Sequence, residues 1–406
     1  MAFNQRQAVA RLSPTMLNSI EQVASSSVRD GADHVARAVV ELSRLFTKDR
    51  ASLKSGYLDY PAYAAAYLRY FLPVNLSKVQ VLLDEMPQDW PDQGPNGQIR
   101  VLDVGSGPGV GALAVLDWLH QHRPGRIKNL TVVAVDASAE ALKQAKGLWK
   151  AYSGESGATG GHLITLEGNL ERSPNGPWLT HVDQRVPYDL IIAGNCLNEL
   201  FSRAVDPVKS KVEFAEHLLS RLALNGTLLI VEPALRETSR ALHQVRDRLI
   251  QEKHCTIYSP CLHENNCPAL VNPFDWCHEE RPWEAPPEVQ KIDEEVGFIK
   301  DALKFSYLLL RKDGRTIVER KTDVYRVVSE LREMKGEKRA WLCNELGRSE
   351  IGRQDRLASP VNAAVDAWHR GAIVQVERVM RKEREGKVSS VGRIERDGTV
   401  QIIRSV

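Results

Sequence analysis

The 406-residue sequence has no run of about 18 apolar residues, so no segment is suited to cross a bilayer as a helix. Its opening stretch, MAFNQRQAVARL, lacks the apolar core of a secretory leader. The expectation is an intracellular protein without a membrane partner, in a bacterial cytoplasm. An Arg-bearing, initially acid-poor start makes a mitochondrial matrix the alternative. Internal repeats and low-complexity tracts are absent, which excludes a solenoid or a linker-like chain. A net charge of +2 is too small to announce a polyanionic partner for the whole chain, and no DNA partner is expected. Closely spaced cysteine pairs are missing as well, although Cys255, Cys261, Cys267 and Cys277 fall within one short stretch.

What is present divides into three regions. Between Ser13 and about Phe46, apolar residues such as Met16, Ile20, Val35, Val39 and Leu42 recur every three to four positions, and Tyr60 to Met86 is rich in Tyr, Ala and Leu. Residues 1–96 therefore read as an N-terminal helical region that ends in the turn-forming PQDWPDQGPNG. From 97 to 321, short apolar runs (IRVLDVG, LTVVAVD, HLITLEG, YDLIIAG, GTLLIVEP) alternate with helical patterns. That rhythm predicts an α/β domain, a doubly wound Rossmann-like sheet with crossover helices. A sixth strand is expected near Cys255 and a seventh at KFSYLLLRK, with a Cys-rich segment, 254–282, inserted between them. Residues 322–406 change to strand-sized pieces, read as a small β-barrel with an OB-like fold as the candidate. This last region holds 17 Lys and Arg against 13 Asp and Glu, so the basicity is concentrated there.

The loop VLDVGSGPGVG is the clearest chemical signal. Gly105, Gly107 and Gly109 follow a predicted strand and precede a helix, where missing Cβ atoms let the backbone turn and approach a ligand. A dinucleotide fingerprint would need its third glycine at position 110, which is Val. Asp103 suits a cationic or amine group, which favours the aminocarboxypropyl end of S-adenosylmethionine over a phosphate. Asp136, closing the second strand, is expected to accept hydrogen bonds from the ribose hydroxyls. Asn169 is expected to border the adenine, and Asn195 to lie where the transferred methyl points.

The spacing C-x5-C-x5-C-x9-C, broken by Pro260, Pro268 and Pro273, is too long and irregular for an unsupported loop. Four thiolates match a tetrahedral zinc or a cubane iron–sulfur cluster, and the wide spacing puts iron–sulfur first. His254, His263 and His278 stand beside these cysteines as substitute ligands, and Cys343 is a reserve fourth ligand if Cys255 is not used. The strand 6 to strand 7 connection leaves at the carboxyl ends of the parallel strands, so the metal segment is expected on the adenosylmethionine side.

Together, VLDVGSGPG, GNCLNEL, LLIVEP and SPCLHENNCP…DWCH…KFSYLLL resemble the methyltransferase-like assembly factors of the mitochondrial small ribosomal subunit and their bacterial relatives. The resemblance runs from roughly residue 55 to 312. It implies a class I methyltransferase fold acting on, or docking to, small-subunit ribosomal RNA, with a 4Fe-4S cluster held by cysteines. Its first motif matches Asp103, Gly105, Gly107 and Gly109, and its cysteine pattern matches Cys261, Cys267 and Cys277, with Cys255 taken as the fourth ligand. His278-Glu279-Glu280-Arg281 departs from the aromatic-Ser-Gln-Arg expected after the third cysteine and marks a distinct subgroup.

Basic residues interleave with strand residues over the last 85 positions, and RKEREGK (381–387) forms a charged run suited to RNA phosphates. Near the fourth strand there is neither an acidic-Pro-Pro-aromatic tetrad nor a Pro-Cys nucleophile, so no catalytic residue is nominated. Two readings follow: an adenosylmethionine-dependent ribosomal RNA methyltransferase, and a catalytically silent assembly factor that keeps the pocket for structural reasons.

Overall fold

The run IRVLDV forms β1 (Ile99–Val104), almost wholly buried because helices cover both faces of the sheet. The computed structural model describes residues 9–27, 32–53, 56–92, 97–157, 160–171, 187–384 and 387–405. Strands β2 (Leu130–Asp136), β3 (His162–Glu167), β4 (Tyr188–Gly194) and β5 (Leu222–Pro233) pair in parallel in the order β3-β2-β1-β4-β5. Beyond β5 lie β8 (Ala302–Arg311), antiparallel to it, and then β6 (Thr256–Ser259); β7 (Glu279–Pro282) pairs with the start of β8. Cys261, Cys267 and Cys277 therefore lie in the connection from β6 to β8.

The crossover helices are α5 (Val110–His122), α6 (Ala139–Ser156), α7 (Pro207–Arg221) and α8 (Arg236–Gln251). Ser138 starts α6 by accepting from the Ala141 amide, and Asp206 starts α7 by accepting from that of Lys209, each satisfying an amide with no partner inside the helix. Before the sheet come α1 (Pro14–Ser27), α2 (Ala32–Thr47), α3 (Pro61–Ala66), a π-helical turn at Tyr67–Phe71, and α4 (Leu72–Glu85). Their apolar faces, including Met16, Leu42, Leu68 and Leu76, share one core with Val101, Leu116 and Val132 of the α/β domain. No helix among the described residues is long and apolar enough to cross a membrane.

The C-terminal region forms a second sheet: β9 (Val324–Val327), β10 (Arg332–Met334), β11 (Glu337–Asn344), β12 (Gly347–Gln354), β13 (Ile373–Val376), β14 (Val379–Arg384), β15 (Lys387–Ile394) and β16 (Val400–Arg404). Its own core includes Val327, Leu342, Ile351, Val374 and Ile394. The expected barrel is not closed by strand pairing among the described residues, because β14 and β16 stand at opposite ends of the path. Part of the charged run RKEREGK, at 385–386, lies outside the described residues.

The second sheet is locked to the rest by buried charge. Arg326 on β9 donates from Nη1 to Glu85 Oε1 at 2.8 Å and from Nη2 to Glu279 Oε2 at 3.0 Å and Tyr307 Oη at 2.7 Å. Glu85 ends α4, Glu279 begins β7 and Tyr307 lies on β8, so one guanidinium joins three parts of the chain. Burial pushes the Glu85 carboxyl up, but Arg326 and Arg281 outweigh it and hold the group at about 2. Removing one partner of such a pair strands the other charge away from water. Arg326→Met is expected to lower stability by about 3–5 kcal/mol, read by urea unfolding; unchanged stability would contradict the assignment. Because the native Glu85 pKa lies below its unfolded value, its contribution is complete above a pH of about 4.5 and is lost as pH falls toward about 2. Acid unfolding of wild type should show that loss, and Glu85→Gln should remove it.

Candidate functional site

β1 passes into the glycine loop and then α5. Gly105 has φ 63°, and a Cβ there would stand 2.4 Å from Cys196 Cβ, so only glycine fits. Gly105 and Gly107 are partly open to solvent, whereas Gly109 is buried at the helix start. Asp136 closes over the loop from the end of β2: Oδ2 accepts from Gly107 N at 2.8 Å and Oδ1 from Ser138 N at 2.9 Å. Burial raises its carboxyl above the usual range, and the amides only partly offset this.

The other predicted residues have different fates. In place of an open carboxylate meeting a ligand amine, Asp103 is fully buried and accepts from Ala112 N at 2.9 Å, tying β1 to the first turn of α5. Burial pushes this carboxyl up to about 7. Asn169 is exposed, and its Oδ1 accepts from Glu171 N at 2.9 Å, which stabilises the turn. Residues 172–186, which follow, lie outside the described residues. Asn195 follows β4 with φ 55°, and its buried Oδ1 has no hydrogen-bond partner among the described residues.

Around Asn195 stand residues that the sequence reading did not select. Glu232, at the end of β5, is 1% exposed; burial pushes its carboxyl up to about 8, and its Oε1 is likewise without a partner among the described residues. Glu199 is reached by solvent yet walled closely enough that desolvation pushes it up to about 7, against the pull of Arg50. A short turn of the N-terminal region, Tyr57–Asp59, lies across the glycine loop. Leu58 Cδ1 is 3.8 Å from where a Gly107 Cβ would be, and Asp59 Oδ1 accepts from Ser138 Oγ at 2.6 Å. A carboxylate closing the apolar run LLIVEP was a legible flag for Glu232; nothing local marks Tyr57.

The second feature is a chamber lined by Cys261, Cys267, Cys277 and Cys343. Three of these thiols come from the β6–β8 connection, and Cys343 comes from β11 of the second sheet. Cys255 is the correction: it stands apart, buried in the core shared by Leu249 and Ile257, with its thiol pushed up to about 12 by burial. Burial and the neighbouring Cys261, Cys277 and Cys267 push the Cys343 thiol well up, so that a bound cation would relieve the group. Of the histidines, His254 is engaged by Glu216 and Glu252 and His278 by Glu280, while His263 Nε2 lies 3.6 Å from Cys343 Sγ.

One face of α8 holds the chamber together. His243 Nε2 is 3.0 Å from the Cys277 carbonyl, Asp247 accepts from Cys267 N at 2.9 Å, and Arg246 donates to the His263 carbonyl at 2.7 Å. Arg240 donates to the carbonyls of Ala269, Leu270, Asn272 and Asp275, fixing the irregular chain between the second and third cysteines. Ser306, the β8 partner of Glu232 in register, donates to the Cys277 carbonyl at 3.0 Å. The chamber thus lies at the carboxyl edge of the sheet, on the side of the glycine loop.

A family model described as the mitochondrial small ribosomal subunit Rsm22 matches residues 61–351. No curated protein matches the sequence. Similar solved structures include a TehB-like SAM-dependent methyltransferase from Corynebacterium glutamicum, at 17% identity and TM-score 0.24, covering 50% of this chain and 75% of that one. They also include a fibrillarin/Nop5p complex (15% identity, TM-score 0.29, 59% and 82% covered) and NSun6 from Pyrococcus horikoshii (13%, 0.34, 60% and 52%). The fold itself is mixed α/β, with five parallel strands in the order β3-β2-β1-β4-β5 followed by the antiparallel β8. By a family match that spans most of its length, the chain belongs to the mitochondrial small ribosomal subunit Rsm22 family.

Proposed function

We propose that this chain is an S-adenosylmethionine-binding, methyltransferase-like protein that docks on small-subunit ribosomal RNA during assembly of that subunit, with a 4Fe-4S cluster held by Cys261, Cys267, Cys277 and Cys343. The observation that carries the proposal is the pairing, on one sheet edge, of a glycine loop flanked by unpartnered buried acceptor oxygens with a four-thiol chamber. The compartment proposed with it is the one holding the ribosome, a bacterial cytoplasm or a mitochondrial matrix.

The pocket's chemistry suits a cation. Asp136, Glu199 and Glu232 all have carboxyls raised by desolvation, and two buried acceptor oxygens, Asn195 Oδ1 and Glu232 Oε1, lack partners among the described residues. A ligand carrying a sulfonium and an ammonium relieves both conditions. When bound, adenosylmethionine supplies an electrophilic methyl group. Gly105 and Gly107 admit it to the backbone, Asp136 receives the ribose hydroxyls, and Asn195 and Glu232 border the far end. The silent-factor reading has one observation in its favour: Tyr57–Asp59 is bonded down over the loop, as suits a pocket kept to order the N-terminal region.

The chamber's four thiols suit zinc or iron–sulfur. A tetrahedral zinc draws its sulfurs to within about 4 Å of one another. No three cysteine sulfurs here lie within 4.8 Å of each other, all six cysteines being among the described residues, and this favours a cluster several ångströms across. The cluster would join the two sheets and shape the RNA-facing edge.

Asp136→Ala is expected to weaken adenosylmethionine binding by about 1–3 kcal/mol in calorimetry; an unchanged affinity would remove Asp136 from the pocket. Protein purified without oxygen is expected to absorb broadly near about 400 nm with about four iron and four sulfide per chain. Cys343→Ser should lose that iron and Cys255→Ser should keep it. The reverse pattern, or one colourless zinc per wild-type chain, would contradict the assignment.

A further inference from the structure

Three of the proposed ligands come from the connection between β6 and β8, and the fourth, Cys343, has a side-chain partner of its own. His263, 3% exposed, sets Nε2 3.6 Å from Cys343 Sγ. Its other ring nitrogen, Nδ1, faces Arg246 Nη2 at 3.4 Å, and the same Nη2 donates to the His263 carbonyl at 2.7 Å. A guanidinium only donates, so Nδ1 is the acceptor and the ring proton sits on Nε2, aimed at the sulfur. The Asn265 carbonyl accepts from Arg246 Nη1. Arg246 is itself buried and paired with Asp247, which in turn holds the Cys267 amide.

We infer that His263 is a positioning residue for the cluster: its Nε2–H donates to the Cys343 thiolate, holds that ligand in place, and stabilises negative charge added to the cluster. The inference rests on the iron–sulfur reading above. When a one-electron donor reduces the cluster, the total charge becomes one unit more negative, no bond breaks, and the proton stays on Nε2. Hydrogen bonds to the sulfurs favour the more negative form, so this one raises the midpoint potential.

The test is a dithionite titration with redox mediators, followed by electron paramagnetic resonance, on the full chain purified without oxygen, in wild type, His263→Gln and His263→Leu. Glutamine keeps an N–H donor near the position of Nε2 and should retain the wild-type potential. Leucine has none and should shift it to more negative values at unchanged iron and sulfide content. Should the leucine variant not fold, wild type labelled with 15N-histidine provides the second measurement. Pulsed resonance of its reduced cluster should show a weak histidine-nitrogen coupling that His263→Gln removes. Equal potentials in all foldable variants together with no such coupling overturn the inference and leave the cluster reading standing; a wild type without iron overturns both.

Discussion

The structure depends on the requirement that buried charge be paired, and Arg326 is where that requirement bears hardest. Its guanidinium neutralises Glu85 from the N-terminal helices and Glu279 from the Cys-rich connection, while its own strand belongs to the C-terminal sheet. Three regions remote in sequence are thereby committed to one arrangement. Arg326 is also the cross-strand partner of Cys343 in the β9–β11 pairing. Side chains directly opposite each other project from the same face, so the ion pairs that anchor Arg326 also deliver the Cys343 thiol to the chamber. The four-thiol chamber is completed by electrostatics acting one strand away.

Both sites share a sheet edge for a topological reason. β6 runs parallel with β5 through the intervening antiparallel β8, so the chain leaving β6 emerges where the ligand-binding loops of the parallel strands emerge. The Glu232–Ser306 register makes the link concrete: Glu232 accepts from the Asn198 amide in the turn after β4, and Ser306 holds the carbonyl of Cys277. α8 then clamps the cysteine connection from one face with Arg240, His243, Arg246 and Asp247, residues whose helical spacing brings them together.

Much of this was legible in the sequence, because the strands and crossover helices of an α/β domain are written in local hydrophobic runs such as LTVVAVD and GTLLIVEP. The place of the glycine loop between β1 and α5, and of Asp136 at the end of β2, was legible for the same local reason. Cys255 and Cys343 show where legibility ends. Cys255 continues a regular spacing and looks like a ligand, yet its place one residue before β6 buries it in the core. Cys343 lies far along the chain in a strand, and only the pairing of β11 with β9 brings it round. A carboxylate before a glycine loop serves a ligand or the helix N-terminus equally well in sequence, and the amide of Ala112 that Asp103 accepts from here is not marked there. Barrel closure depends on whether β14 meets β16, which strand-sized pieces do not encode.

The central claim is that one iron–sulfur cluster sits between the α/β domain and the C-terminal sheet, with Cys343 as its fourth ligand. The most direct test is anomalous diffraction at the iron edge from crystals of the full chain grown without oxygen. The account predicts a single iron peak bounded by Cys261, Cys267, Cys277 and Cys343, with none beside Cys255. An iron peak centred on Cys255, or a zinc-edge signal alone in the chamber, would contradict it.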